Sequence, residues 1–309
     1  MRDELWTVGK LAEAGAEVLT RRGIEGARLD ADLLLAEALG LRRIELYTRY
    51  DMPVDEADRV RFREYVKRRA GREPVAYILG RREFWEHSFR VRPGVLVPRP
   101  ETELLVELGG AALAARAEGA APPLVVDLGV GSGCVVISLL KLVPEARAIG
   151  VDLSPEALAV AAENAAELGV ADRLELRRAD FLAGLGADER GRVDLLVSNP
   201  PYIARDEAAD LPPDVRDHEP EMALFSPSDP LHFHRLALAA HRDWLATDGC
   251  LLLEMGVGGG TALEADAAGR FPGGTTGCVR DLAGRERVFV AGAASLPSAI
   301  TERFVVRGR

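Results

Sequence analysis

Val125-Val126-Asp127-Leu128-Gly129-Val130-Gly131-Ser132-Gly133-Cys134 runs from apolar, β-branched residues through three alternating glycines into a second apolar stretch. It predicts a strand, a tight turn and a helix start, because glycine lets the backbone turn sharply and approach a ligand while the first helical N–H groups lack internal partners. Outward from this loop, strand and helix patterns alternate: Leu124–Leu128, a helix from Cys134, Ala148–Leu153, a helix over Pro155–Leu168, Leu174–Arg178 and Val193–Ser198. A helix around Leu231–Leu245 then leads to an apolar strand at Cys250–Met255. Such alternation predicts an α/β domain whose mostly parallel sheet is covered on both faces. Thr276–Arg280 and Arg287–Val290, separated by Asp281-Leu282-Ala283-Gly284, predict an antiparallel hairpin at its edge.

The 309 residues suit about two domains, at roughly 150 residues each. From Val8 to about Arg72 apolar residues recur at helical spacing, as in Val8, Leu11, Ala12, Gly15 and Leu19, which predicts a small helical domain over residues 1–72. Within it Asp30 or Asp32 is expected to cap a helix that Gly40 ends, and Val60, Phe62, Tyr65 and Val66 to form the apolar side of a later basic helix. Residues 73–98 read as a hairpin linker around Phe84–Val91, and 99–309 as the α/β domain, which Pro98-Arg99-Pro100 introduces in extended backbone before a helix opens at Glu101-Thr102-Glu103.

A net charge of −10 argues against tight binding to nucleic acid through a phosphate-neutralising surface. Three scattered cysteines without a C-x-x-C pair, an acidic start and no long apolar run point to the cytoplasm, with no membrane contact.

The glycine spacing is G-x-G-x-G, so the dinucleotide fingerprint G-x-G-x-x-G fails at Cys134, and no lysine follows to make a nucleoside-triphosphate loop. Asp152 closes the next strand where an acid can accept hydrogen bonds from the two hydroxyls of a ribose; its other reading is a helix cap, a role open to Ser154. Asp180-Phe181 follows the third strand, an acid and an aromatic suited to an adenine amino group and ring, although Asp180 alone reads equally as a loop cap. Ser198-Asn199-Pro200-Pro201-Tyr202 follows the fourth. Its prolines stiffen a turn from which the Asn199 carboxamide oxygen and the Pro200 carbonyl can each accept an N–H of a planar NH2 group, with the Tyr202 ring against the flat face. A merely structural proline turn is the other reading of that string.

In this order, the glycine loop, Asp152, Asp180-Phe181 and Asn199-Pro200-Pro201-Tyr202 resemble the motifs of class I S-adenosylmethionine-dependent methyltransferases that modify amino nitrogens. Tyr77-Ile78-Leu79-Gly80, Phe84-Trp85, Val97-Pro98-Arg99-Pro100-Glu101-Thr102-Glu103 and the helical N-terminal segment further resemble the HemK-type glutamine N5-methyltransferases of peptide chain release factors. The resemblance implies a Rossmann-like methyltransferase domain, S-adenosylmethionine as cofactor, and the glutamine of a Gly-Gly-Gln tripeptide in release factors as substrate, hence a part in translation termination. It implies that Gly129, Val130, Gly131, Ser132 and Gly133 cradle the methionine part of the cofactor, that Asp152 holds its ribose, and that Asp180 and Phe181 hold its adenine. Asn199, Pro200, Pro201 and Tyr202 then bind the glutamine amide, with Asn199, Pro200 and Tyr202 serving catalysis and Asn199 also adjoining the cofactor. A ribosomal-protein glutamine methyltransferase and a DNA adenine methyltransferase share that loop and are the rival readings, and an idle binding module is the rival outside catalysis.

Two stretches depart from the family: Val130 and Ser132 in the glycine loop, and the continuation after His218-Glu219-Pro220. His232, His234 and His241 fall on one helical stretch without metal-ligand spacing, so no metal is expected. Arg61–Arg69 reads as a solvated basic helix face, and the tail Ala291–Arg309 as a frayed or partner-facing end.

Overall fold

A computed structural model describes residues 5–116, 121–227, 229–271, 274–292 and 296–305. The chain divides into two compact units, Met1–Arg81 with Leu211–His218, and Arg82–Asp210 with Glu219–Arg309.

The first unit is helical: α1 Val8–Arg21, α2 Ala27–Leu39, α3 Arg43–Thr48, α4 Glu56–Ala70 and α5 Val75–Leu79. The Thr7 side chain caps α1, whose Val8, Leu11, Ala12, Gly15 and Leu19 all turn inward as their spacing predicts. Gly40, in the left-handed region at φ 64°, ends α2. Neither Asp30 nor Asp32 caps that helix, however, because Gly26 holds the capping position. Asp30 instead receives the buried Arg69 guanidinium at 2.7 Å, and Asp32 pairs with Arg28 and Tyr47. On α4, Phe62 and Val66 are buried while Val60 is exposed, since the charged pairs Arg61–Asp58 and Arg63–Glu56 leave that side of the helix in water.

The second unit begins at Arg82, within the hairpin of β1 Arg81–Phe84 and β2 His87–Arg90, which turns at Trp85. Then come α6 Glu103–Ala114, β3 Leu124–Leu128, α7 Cys134–Leu142, β4 Arg147–Asp152, α8 Pro155–Glu167, β5 Leu174–Arg178 and β6 Val193–Ser198. The short α9 Pro213–Arg216 belongs to the first unit, and α10 Glu221–Leu224, α11 His232–Trp244, β7 Leu245–Glu254, α12 Gly260–Ala267, β8 Thr275–Arg280, β9 Glu286–Gly292 and α13 Ser298–Thr301 complete the second. Its described residues form a seven-stranded sheet in the order β5-β4-β3-β6-β7-β9-β8, parallel through β7 and antiparallel where β9 pairs with β7 and β8. The class I methyltransferase architecture with its edge hairpin is therefore present.

Strand alternation explains the two-sided cover. Val125, Leu195, Val197 and Leu252 pack into one core cluster, and Val126, Leu128, Leu196, Leu251 and Leu253 into another. Each such side chain, removed from water entirely, contributes about 1.5–3 kcal/mol, which is why these strands read as unbroken apolar runs.

The tail corrects the expectation of a frayed end. Ile300 is fully buried, the Val305 N–H donates to the Cys278 carbonyl at 2.8 Å, and the Phe304 ring lies over Gly277, where a side chain would occupy the ring's place. Residues 293–295 and 306–309 of that tail, and 117–120 of the alanine-rich stretch after α6, lie outside the described residues. No described helix is long and apolar enough to cross a membrane.

Candidate active site

The order of strands reverses around β3: β4 and β5 lie on one side, β6 and β7 on the other. Open α/β sheets place ligands at such a switch point, outside the carboxyl ends of the strands. A cavity of about 370 Å3 opens there, lined by the glycine loop after β3, Asp152 and Ser154 after β4, Asp180 and Phe181 after β5, and Asn199 and Pro201 after β6. Two hydrogen bonds to the Val151 carbonyl, from Gly129 and Val130, fold the glycine loop back on β4. The buried Ser198 hydroxyl donates to the Leu128 carbonyl at 2.6 Å and locks the end of β6 to the end of β3.

The turn itself requires glycine. Gly129, Gly131 and Gly133 have φ of 78°, 55° and 80°, in the left-handed region, and a Cβ on Gly133 would stand 2.7 Å from Ile137. Gly133 has no side chain to cap α7, so the Asp127 carboxylate does so, accepting from the Val136 N–H in the first turn. Burial nonetheless pushes the Asp127 carboxyl up to about 7. Asn164 on α8 braces the loop from beneath, donating to the Ser132 carbonyl at 2.8 Å and exchanging hydrogen bonds with the Arg90 backbone in β2.

Asp152 accepts from the Gly131 N–H through one carboxylate oxygen and from the Ser154 N–H through the other, each at 2.9 Å. Capping of α8 falls to the Ser154 hydroxyl, which accepts from Ala157. A carboxylate offers about four acceptor positions, so Asp152 keeps capacity facing the cavity. Burial raises its pKa, against the backbone hydrogen bonds that lower it. Phe181 holds a φ of 47°, costly for an aromatic residue by about 1–3 kcal/mol, and its ring meets Phe233 of α11 at 5.1 Å between centroids. These two rings form an aromatic wall beside Asp180.

Asn199 donates its Nδ2 hydrogen to the Thr102 hydroxyl at 3.1 Å, which leaves Oδ1 as the acceptor of its carboxamide without a partner among the described residues. Not every residue of this loop reaches the cavity. Gly133, Pro200 and Tyr202 are absent from its wall; Pro200 is buried, and Tyr202 lays its ring against Gly256 and its hydroxyl on Glu254 at 3.4 Å.

The sequence reading singled out no role for Asp127, Asn164, Phe233, Glu219 or Glu254. Glu219 stands just before the continuation read as a departure, and its buried carboxylate accepts from the Val97 N–H at 3.1 Å and from Arg99 at 2.6 Å, holding the Pro98-Arg99-Pro100 segment that borders the cavity. Its Glu-Pro string was the available signal. The histidines serve packing: His234 hydrogen-bonds the Glu254 carbonyl at 2.8 Å and His241 stacks on Phe271. Among the described residues no group of three or more His, Cys, Asp or Glu side chains is placed to hold a metal ion.

A Rossmann-type cavity with positive-φ glycines, a free carboxylate capacity at the end of β4, two acidic groups on its wall and an aromatic wall fits S-adenosylmethionine, which carries two cationic centres, a ribose diol and an adenine.

Comparison with known proteins agrees. The PrmC N-terminal domain matches residues 10–80, and the methyltransferase domain matches residues 125–212. The chain is 44% identical over 283 residues to the release factor glutamine methyltransferase of Cereibacter sphaeroides, covering 91% of this chain and 95% of that one. It is 42% identical over 257 residues to the release factor glutamine methyltransferase of Geobacter sulfurreducens, covering 83% and 87%. Among solved structures, the human hMettl16 catalytic domain in complex with the MAT2A 3'UTR hairpin 6 aligns with a TM-score of 0.51 at 14% identity, covering 75% of this chain and 84% of that one, a likeness of fold alone.

Proposed function

Because the chain belongs to the release factor glutamine methyltransferases, as the resemblance in its motifs implied, we propose that it methylates the side-chain amide nitrogen of the glutamine in the Gly-Gly-Gln tripeptide of peptide chain release factors. The observation that carries this reading is Asn199, held by Thr102 with its carboxamide oxygen unpartnered among the described residues, at the rim of the same cavity as the glycine loop and Asp152. The methyl donor is S-adenosylmethionine, which supplies an electrophilic methyl group on a sulfonium. Gly129 to Ser132 would hold its methionine part, Asp152 its ribose, and Phe181 with Phe233 and Asp180 its adenine.

An amide nitrogen is a weak nucleophile because its lone pair is delocalised, so alignment and electrostatics supply most of the acceleration. The Asn199 Oδ1 accepts one N–H of the glutamine amide, fixing the nitrogen and favouring the positive charge that develops on it. The N-protonated amide that results is strongly acidic and sheds its proton to water. The test is to incubate the protein and isotopically labelled S-adenosylmethionine with a release factor, a ribosomal protein or duplex DNA in separate reactions. Label on the release factor glutamine is expected; label confined to the ribosomal protein or the DNA overturns the reading.

The Asp127 carboxyl makes a second expectation measurable. A cation in the cavity lowers a carboxyl pKa that stands near 7, and below that pH the group must first lose its proton. Cofactor affinity therefore rises from about pH 5.5 to 7, with protons released on binding. Calorimetry in two buffers of different ionisation heat reads that release directly. Asp127→Asn should flatten the dependence, and equal slopes in parent and variant would count against it.

A further inference from the structure

Behind the Asn199 loop lies a carboxyl group that the reaction as described leaves unused. Glu254 ends β7, beside the end of β6 that leads into Asn199, with Ser198 in register with Leu253. Its side chain is buried, and Oε1 receives the Tyr202 hydroxyl at 3.4 Å. Oε2 has no hydrogen-bond partner among the described residues. The Thr102 hydroxyl adjoins the same carboxyl and favours its ionised form, while Thr102 Oγ1 accepts from Asn199 Nδ2. Thr102, itself buried, therefore stands between Glu254 and Asn199.

A hydroxyl has a single hydrogen. When that hydrogen points to a carboxylate, Thr102 shows Asn199 only lone pairs, and the carboxamide must turn its NH2 end to Thr102 and its oxygen to the cavity. When the carboxyl is protonated and itself donates to Thr102, the hydroxyl hydrogen is released toward Asn199. The carboxamide can then flip and present an NH2 group to the substrate NH2, which it cannot bind.

We propose that Glu254 is a positioning residue for methyl transfer, holding the Asn199 carboxamide in the orientation that accepts from the substrate amide through the Thr102 hydroxyl. The proposal rests on the role given to Asn199 above. It acts on the chemical step and not on cofactor affinity, since Glu254 does not line the cavity.

The proton inventory around Glu254 gives the readout. Burial raises its pKa to about 7; Thr102, Tyr202 and Arg287 of β9 favour the ionised form, and Glu101 disfavours it. Cys134 of α7 also feels its charge, Asp281 pairs with Arg287, and His234 of α11 hydrogen-bonds the Glu254 backbone carbonyl. The carboxylate is the form that enforces the productive orientation, so kcat at saturating cofactor and release factor rises with pH through this range. Glu254→Gln removes the charge at every pH and, like the protonated carboxyl, can donate to Thr102, so the productive orientation is no longer enforced.

The experiment measures kcat between about pH 6 and 8 for the full chain acting on a release factor, with S-adenosylmethionine affinity and melting temperature measured alongside. Glu254→Gln is expected to lower kcat by about tenfold at the upper end, to lose the rising limb and to keep the parent's cofactor affinity. Thr102→Val breaks the same relay and should reproduce the loss, whereas Thr102→Ser restores the hydroxyl and should recover most of the rate. This pair decides the matter if Glu254→Gln does not fold. An active parent matched in kcat and pH profile by Glu254→Gln, or by Thr102→Val, overturns the proposal alone; a parent that methylates no release factor overturns it together with the functional reading.

Discussion

Asn199→Ala is expected to slow single-turnover methylation of a Gly-Gly-Gln-bearing release factor by about 10²–10³, with a melting temperature close to the parent's. Loss of one preorganised polar contact at a reacting centre has that scale because the contact strengthens as charge develops on the nitrogen. The structure makes the substitution a clean one. Among the described residues the Asn199 side chain hydrogen-bonds Thr102 alone, a hydroxyl that keeps Glu254 as a neighbour when the carboxamide is removed. An asparagine that served only to cap a proline turn would cost about 1 kcal/mol of stability and leave turnover intact. Methylation at near the parent rate would reduce the loop to a structural turn and remove the mechanism.

Asp152→Ala is expected to weaken S-adenosylmethionine binding by about 1–3 kcal/mol, roughly 5- to 150-fold, because charge-assisted hydrogen bonds to the ribose are lost. The same carboxylate supports the Gly131 and Ser154 N–H groups, so alanine also leaves two donors without acceptors. Asp152→Asn removes the charge offered to the ribose but keeps one acceptor oxygen, so that one of the two N–H groups still finds its partner. Calorimetric titration should show a substantial affinity loss in both variants, and the thermal melt a smaller penalty for asparagine. Saturable binding by the parent should persist in excess chelator. Preference for NAD over S-adenosylmethionine would contradict the cofactor assignment.

Much of the α/β unit was legible before any tertiary information. Leu124–Leu128, Leu174–Arg178 and Val193–Ser198 are strands over the residues expected, because short apolar runs between turn signals have few alternatives. The edge hairpin was legible in Asp281-Leu282-Ala283-Gly284, where the Asp281 carboxylate accepts from the Ala283 and Arg285 N–H groups and closes the turn locally. The errors lie where two local options were near equal in energy. Asp30 looks like a cap, yet a partner 39 residues away, Arg69, claims it. Phe304 and Ile300 gave no periodic signal, and their burial depends on an edge strand that offers Gly277.

The cofactor side of the site is local chemistry. Glycines at positive φ and an acid at a strand end follow from what each residue type permits, and the parallel register set by buried apolar faces then brings Gly131, Asp152 and Ser198 to one edge. The groups that orient the substrate loop have no such local signature. Thr102 meets Asn199 across 97 residues, and Glu219 meets Val97 across 122. Nor does sequence spacing disclose that burial pushes the Asp127 and Glu254 carboxyls up to about 7, since the cause is removal from water. Local backbone preferences are written residue by residue, whereas desolvation and long-range hydrogen bonds exist only once the chain has closed around them.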